Sequence, residues 1–494
     1  MKKFNTSLLV FSCALLFVFS SGCGTTPEEV MQRYKDEKIA VSGLHLDKDV
    51  LNDYYKELGN PVTTEQLLSS IMDKKKSDTK VDDIDVVVDM SAGMNIGIDK
   101  SYKAITAVMS RFNPQSQHVK YYHVDDDATN MQPLSEIKSL SDASVLQNPA
   151  NYKKSFSKLK PAFESASKSG NKISLIITDF LLDEGVKSDK RLKNGKYTKD
   201  ETADNSTWAV PYFTKWFAGQ NQILVYPYQY SAKNYYNKQE TKYIYYILFI
   251  PKGCVNSNLE SLKTDFASIF TQPVDFNTTA YSFHFNTNEK ELPGDCVANY
   301  STIKDQGNKA KVFADYNTLF IPYSHKGIIK NNYLGKPITC GLSIENKTPF
   351  NLNLTTSSYD MTNVYYRALA MSNDEWSKSE NAKESYLKGK AENKDLVCDI
   401  ASDYSLSFKL NDNVGKENYL SKNKGYANLL LSRILIGSMK VKDIDTQLSW
   451  DFESKYGTME NNALGESIRL SLDTYVASTK NVPLGAIFFS LHDK

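Results

Sequence analysis

Hydrophobic and polar positions change their spacing several times along this chain, and each change predicts a different kind of element. Residues 8–19 (LLVFSCALLFVF) form a mostly apolar run of twelve residues behind Lys2 and Lys3. That is short of the ~20 apolar residues needed to cross a bilayer, and it has the charge order of an export leader. From 24 to 78 the apolar positions thin out. TTEQ at 63–66 is a capping box ahead of Leu67, Leu68 and Ile71, and the polar KKKSDTK at 74–80 reads as a linker, which together predict a helical tether over 23–81.

From residue 82 the rhythm alternates between short saturated runs and helical stripes. IDVVV at 84–88, closed by Asp89, and ISLIIT at 173–178, closed by Asp179, read as strands buried on both faces. Strands are also expected at 118–124, 223–228 and 243–250. Ile98, Tyr102, Ile105, Val108, Met109 and Phe112 recur at helical spacing. So do Tyr152, Phe156, Leu159, Phe163 and Ala166, and again Leu259, Leu262, Phe266, Ile269 and Phe270. Another helix is expected in 202–219, with Pro211 near its start. Strands alternating with helices over 82–272 predict an α/β domain: a doubly wound, mostly parallel sheet covered on both sides. After 272 the pattern shifts to period two, clearest where Tyr404, Leu406, Phe408 and Leu410 alternate with polar neighbours. A β-rich accessory region over 273–494 follows, with strands near 280–285, 311–314, 319–322, 351–355, 404–410, 429–441 and 482–491 and one helix near 464–476.

A length of 494 residues suits two or three such domains. The 59 basic residues nearly balance the 58 acidic ones, and loss of Lys2 and Lys3 with a leader leaves the balance near zero. This gives no support to a nucleic-acid partner. Beyond the leader, Cys23, Cys254, Cys296, Cys340 and Cys398 remain. The last four are too widely spaced for a structural zinc site, and after export they are compatible with two disulfides in any of three pairings or with buried free thiols.

Ser20-Ser21-Gly22-Cys23 at the end of the apolar run resembles the lipobox of bacterial lipoproteins. The resemblance implies cleavage after residue 22, acylation of Cys23 and a lipid-anchored protein at the outer membrane or cell surface, with a periplasm-facing orientation as the alternative. Glu28 and Glu29 resemble the acidic residues of some surface-export signals.

Candidate chemistry gathers at the ends of the two saturated strands, where open α/β sheets place ligands. Asp89-Met90-Ser91-Ala92-Gly93 together with Thr178-Asp179-Phe180 resembles the metal-ion-dependent adhesion site of von Willebrand factor A domains. Two carboxylates and a set of hydroxyls are the oxygen donors that a hard cation such as Mg2+ takes. The resemblance implies a cation held by Asp89, Ser91 and Asp179, with a carboxylate of a protein or cell-envelope partner completing the ion's shell. Here Gly93 stands where the family has its second serine, and Phe180 where it has glycine. The family's loop threonine falls near Asn148 and Asn151, with Thr129 a poorer match. Asp125, Asp126, Asp127 and Asp142 lack EF-hand spacing and read as a solvated acidic loop. Tyrosines from 226 to 246 read mainly as strand packing. No phosphate loop, HExxH helix or GxSxG elbow occurs.

Three expectations follow: a non-catalytic binding or envelope-assembly module; a metal-dependent phosphate or sulfate ester hydrolase; or a structural lipoprotein with an inactive site. The hydrolase is disfavoured because haloacid-dehalogenase-like phosphatases need a second aspartate where Ser91 stands.

Overall fold

The computed structural model describes residues 78–126, 129–134, 142–154, 157–181, 192–193, 196–197, 207–233, 237–285, 311–313, 317–324, 334–335, 338–340, 342–361, 393–401, 406–416, 419, 428–454 and 457–492. The leader, Cys23, the tether up to residue 77, Asp127 and Cys296 lie outside them.

A seven-stranded sheet forms the first body. Its strands are β1 (Ile84–Asp89), β2 (Val119–Val124), β3 (Gln132–Pro133), β4 (Ile173–Thr178), β5 (Gln222–Lys233), β6 (Gln239–Ile250) and β7 (Val274–Asn277), in the order β7-β5-β6-β4-β1-β2-β3. Every residue of β1 and β4 is buried, as their saturated apolar runs require. Apolar side chains leave each face alternately. Val86, Val88, Leu175, Ile177 and Tyr246 meet helices α1 (Met94–Lys100), α2 (Tyr102–Arg111) and α5 (Ser257–Ala267). On the other face Val87, Ile176, Val225, Ile247 and Phe249 meet α3 (Lys160–Lys168) and α4 (Val210–Ala218). Each large side chain so buried is worth about 1.5–3 kcal/mol.

The sheet is mixed, in contrast to the mostly parallel one expected. β1 runs parallel to β2 and β4, while the remaining pairings are antiparallel. The reason lies in the connections. Only residues 234–238 join β5 to β6, and a parallel return needs a crossover of a dozen residues or more. β6 therefore enters against β4 in the opposite direction.

Two helices also depart from their expected extents. The stripe beginning at Tyr152 does not form one helix: α3 starts at Lys160, with Pro161 in its first turn, where the missing N–H costs nothing. Tyr152 instead packs on the face opposite Phe163. The stripe from Ile98 to Phe112 breaks at Ser101, whose buried hydroxyl donates to Ile98 O and accepts from Tyr246 OH at 2.9 Å. Tyr102, beyond the break, is exposed. α4 carries Pro211 in its first turn, as its sequence requires.

The second body contains a five-stranded sheet in which β8 (Thr318–Ser324), β13 (Val482–His492), β10 (Asn428–Val441) and β9 (Phe350–Asp360) are neighbours in that order, with Lys311–Phe313 at the edge beside β8. A three-stranded sheet (Ile338–Cys340, Leu406–Leu410, Leu396–Ile400) and a hairpin of β11 (Trp450–Ser454) and β12 (Gly457–Asn461) accompany it. Helix α6 (Ala463–Ser478) buries Leu464, Ile468 and Leu472 in the apolar cluster that also holds Phe213 and Phe217 of α4. Both bodies thus share one core. Cys254 is a free thiol, so a pairing that uses all four cysteines does not occur. Among the described residues, no helix is long and apolar enough to cross a membrane.

Candidate functional site

The parallel register of β1, β2 and β4 sets Asp89 beside Val124 and one residue beyond the Val88–Ile177 pair, so the carboxyl ends of the three strands finish level. Asp89 ends β1 and is fully buried. The turn that follows folds back on it: Ser91 N–H donates to Asp89 Oδ1 at 3.0 Å, the strand-end turn that Asp favours. Thr178, the last residue of β4, donates its hydroxyl to Asp89 Oδ2 at 2.8 Å and accepts from Phe180 N–H at 2.9 Å. Asp179 is 4% exposed, and its Oδ1 accepts from Leu181 N–H at 3.0 Å.

Gly93 brings the first loop over the second carboxylate. A Cβ at this position would lie 3.0 Å from Asp179 Oδ2, a tight contact that glycine avoids. Asp89, Ser91 and Asp179 therefore meet at one rim of one sheet.

A further hydroxyl reaches the same place from a segment the sequence did not single out. Ser91 bridges to Lys154, and Ala92 N–H donates to Lys154 O at 2.8 Å, clipping the β1 loop to the stretch ahead of α3. Lys158 N–H donates to Asp125 O, just past the end of β2. Between these clips Ser157 is buried with no hydrogen-bond partner at its Oγ, yet it sits close enough to Asp89 to favour the ionised carboxylate. Asn148 and Asn151 do not take this place. Asn148 caps its own turn by accepting from Ala150 N–H, Asn151 donates to Val145 O, and Thr129 is exposed. A lone serine in an aperiodic loop carries no sequence signal of its own; the bond that places it is made by the backbone at residue 154.

Burial governs the electrostatics. It pushes the Asp89 carboxyl upward, opposed by hydrogen bonds from Ser91 and Thr178 and by the nearby Ser157 hydroxyl. Burial, reinforced by the Asp89 charge, pushes Asp179 up to about 7, while Leu181 N–H and the Lys242 charge pull the other way. Two like charges so close cannot both persist without a proton or a cation between them.

Phe180 stands where the resembled motif has glycine, and its φ of 61° is the left-handed conformation glycine tolerates best. Its ring stacks on Trp208 at 4.8 Å and meets Phe163 edge-on at 5.4 Å, so aromatic burial offsets the backbone cost.

The described acidic residues after β2 are engaged with neighbouring groups. Asp126 pairs with Lys154, Asp125 lies against His123, and Asp142 accepts from Ser144 N–H in the turn before Ser144–Gln147. Among the described residues, no three His, Cys, Asp or Glu side chains gather within reach of one ion. A cation at the rim would therefore depend on two carboxylates plus hydroxyls. The tyrosine belt is largely packing, with Tyr226, Tyr230, Tyr245 and Tyr246 buried.

No family model matches the chain, and no curated protein or solved structure matches it significantly.

Proposed function

We propose that this chain is a membrane-tethered binding or envelope-assembly module, built on a von Willebrand factor A-like domain and anchored through an acylated Cys23. Its ligand site is the rim formed by Asp89, Ser91 and Asp179, extended by Thr178 and Ser157, and it takes a hard divalent cation such as Mg2+. One observation carries the reading: two adjacent buried aspartates at the carboxyl ends of parallel strands, with the buried Ser157 hydroxyl close to the first of them. That donor set is all oxygen and its excess charge is negative, which suits Mg2+. The left-handed backbone at Phe180 also fits the glycine of the resembled motif. When bound, the cation would supply a Lewis-acidic position to which a carboxylate of a protein partner binds.

Calorimetric titration of Mg2+ or Mn2+ at pH 8 tests this. The wild-type protein should bind one ion and Asp89→Ala none, and capture of envelope partners should be lost with EDTA and with Asp89→Ala alike. A wild-type protein that takes up no ion ends the cation reading. The structural-lipoprotein reading has its own support, because both Asp89 oxygens already accept hydrogen bonds within the protein. In that case a proton, and not a metal, neutralises the pair. The tether is tested separately: labelling with a clickable palmitate analogue should be lost in Cys23→Ala.

A further inference from the structure

β5 is longer than the strand on its outer side. β7 pairs only with its first residues, Gln222 to Val225, and Pro273, next in line against Tyr226, has no N–H with which to extend the ladder. Among the described residues no other strand lies on that edge, so from Tyr226 to Lys233 β5 is paired through β6 alone. The β5–β6 ladder runs without a register shift, and successive residues turn both their N–H and their C=O to opposite edges. Pro227 sits inside this ladder, a place that suits proline when its nitrogen faces the open edge. Gln229 and Ser231 share its direction and present their main-chain groups outward, while Tyr228 and Tyr230 turn theirs to β6. A groove of about 570 Å3 follows this edge. Its walls include every residue from 227 to 231, and because side chains alternate between the faces of a strand, it runs along the edge and then laps onto the face of Thr241 and Tyr243. Phe270 and Thr271, on the way from α5 to β7, and Gln447 of the second body complete it. Hydrogen bonds hold these walls: Tyr228 OH donates to Lys100 O at 2.8 Å, and Gln447 Nε2 donates to Gln272 Oε1 at 2.6 Å. Among the described residues that line the groove, none carries a charge.

We propose that this groove is a peptide-binding site, in which a short extended segment of a partner protein adds to β5 as a new strand on the line of β7. The outward main-chain groups of Gln229 and Ser231 supply the pairing, the mode by which exposed sheet edges take up peptides. Residues 227–231 span about 14 Å at ~3.4 Å per residue, which matches a segment of four or five residues. The uncharged lining favours a segment that is itself uncharged and rich in β-branched or aromatic side chains. Pro227 and Lys233 blunt the two ends of the open edge and confine pairing to the stretch between them. The site is distinct from the rim at Asp89 and Asp179 and needs no ion.

Hydrogen exchange resolved by residue in the full chain tests the site. In the free protein the amides of Gln229 and Ser231 should exchange at least about tenfold faster than those of Tyr228 and Tyr230. A defined pool of end-blocked pentapeptides of Thr, Val, Tyr, Asn and Gln, in excess, should then slow Gln229 and Ser231 by about threefold or more, with EDTA present as without it. The same pool N-methylated at every residue, and so without main-chain donors, should leave both rates unchanged. Slow exchange at Gln229 and Ser231 before any peptide is added shows an edge already paired, by this chain or by a second copy, and overturns the proposal. Rates that the pool leaves unaltered overturn it too, as does equal slowing by the N-methylated pool. Slowing that EDTA abolishes places the binding at the rim and removes the groove. Ser231→Pro takes away one outward donor and, as at Pro227, should leave the melting temperature unchanged while abolishing the slowing at Gln229. If that variant also loosens the amides of Val225 and Ile247, the N-methylated pool decides on the unaltered chain.

Discussion

Asp179 makes the rim sensitive to pH, and the sign follows from its surroundings. Its carboxyl titrates near 7 in the folded chain against an ordinary value of 3.8, so between these values the folded state holds more protons than the unfolded one. The stabilisation is fully present below about pH 4 and is lost as pH rises through about 7. Thermal denaturation across this window should show a falling melting temperature that Asp179→Asn flattens. If the cation reading is right, Mg2+ should restore the loss above pH 7 and do little below pH 5, where protons compete. Phe180 offers a second test, because its ring and its backbone pull in opposite directions. Phe180→Ala should cost about 3–5 kcal/mol from the emptied aromatic cluster. Phe180→Gly should be more stable than the alanine variant by about 1 kcal/mol, although it removes one more carbon, because glycine accepts the left-handed φ. Urea denaturation of the pair reads the difference directly. At this scale the sequence showed Asp89, Ser91 and Asp179 because each closes or follows a saturated strand. It did not show Ser157, whose position is fixed by main-chain bonds at Lys154 and Asp125 that leave no trace in side-chain pattern.

Among the elements, those with a period were legible and those defined by direction were not. β1 and β4 are continuous apolar runs, and the strands of the second body alternate, so their places emerge from side chains alone. The antiparallel entry of β6 between β4 and β5 depends on the short link at 234–238 and on pairing across the sheet, neither of which alters hydrophobic spacing. The helix break at Ser101 depends on a hydrogen bond from Tyr246, some 145 residues away. Close packing of α1 on β6 is equally non-local. A Cβ on Gly97 would run into the side chain of Ile244 and the ring of Tyr230, both buried. Gly97→Ala should therefore destabilise by about 1–3 kcal/mol, despite alanine's better helix propensity, as measured by chemical denaturation. A gain in stability would show that α1 is free to shift away from the sheet.

At the scale of the whole molecule, one apolar cluster runs from Phe163 and Phe213 of the first body to Ile468 and Phe489 of the second. Continuity of that kind couples their unfolding. Ile468→Ala should cost about 2–5 kcal/mol and move a single calorimetric transition as a whole, with amides in β1 losing protection alongside those in β10. Two separated transitions would show instead that the shared cluster is a contact and not a common core. The position of β13 has a further consequence, for the order of assembly. It lies between β8 and β10, parallel to one and antiparallel to the other, though it is the last strand in sequence. A growing polypeptide that has not yet supplied Val482–His492 leaves two long neighbours with bare inner edges, each able to capture a strand from another chain. Premature termination at codon 481 should therefore yield insoluble material and not a trimmed but working protein, and this half of the molecule becomes a sheet only after Val482–His492 has been made.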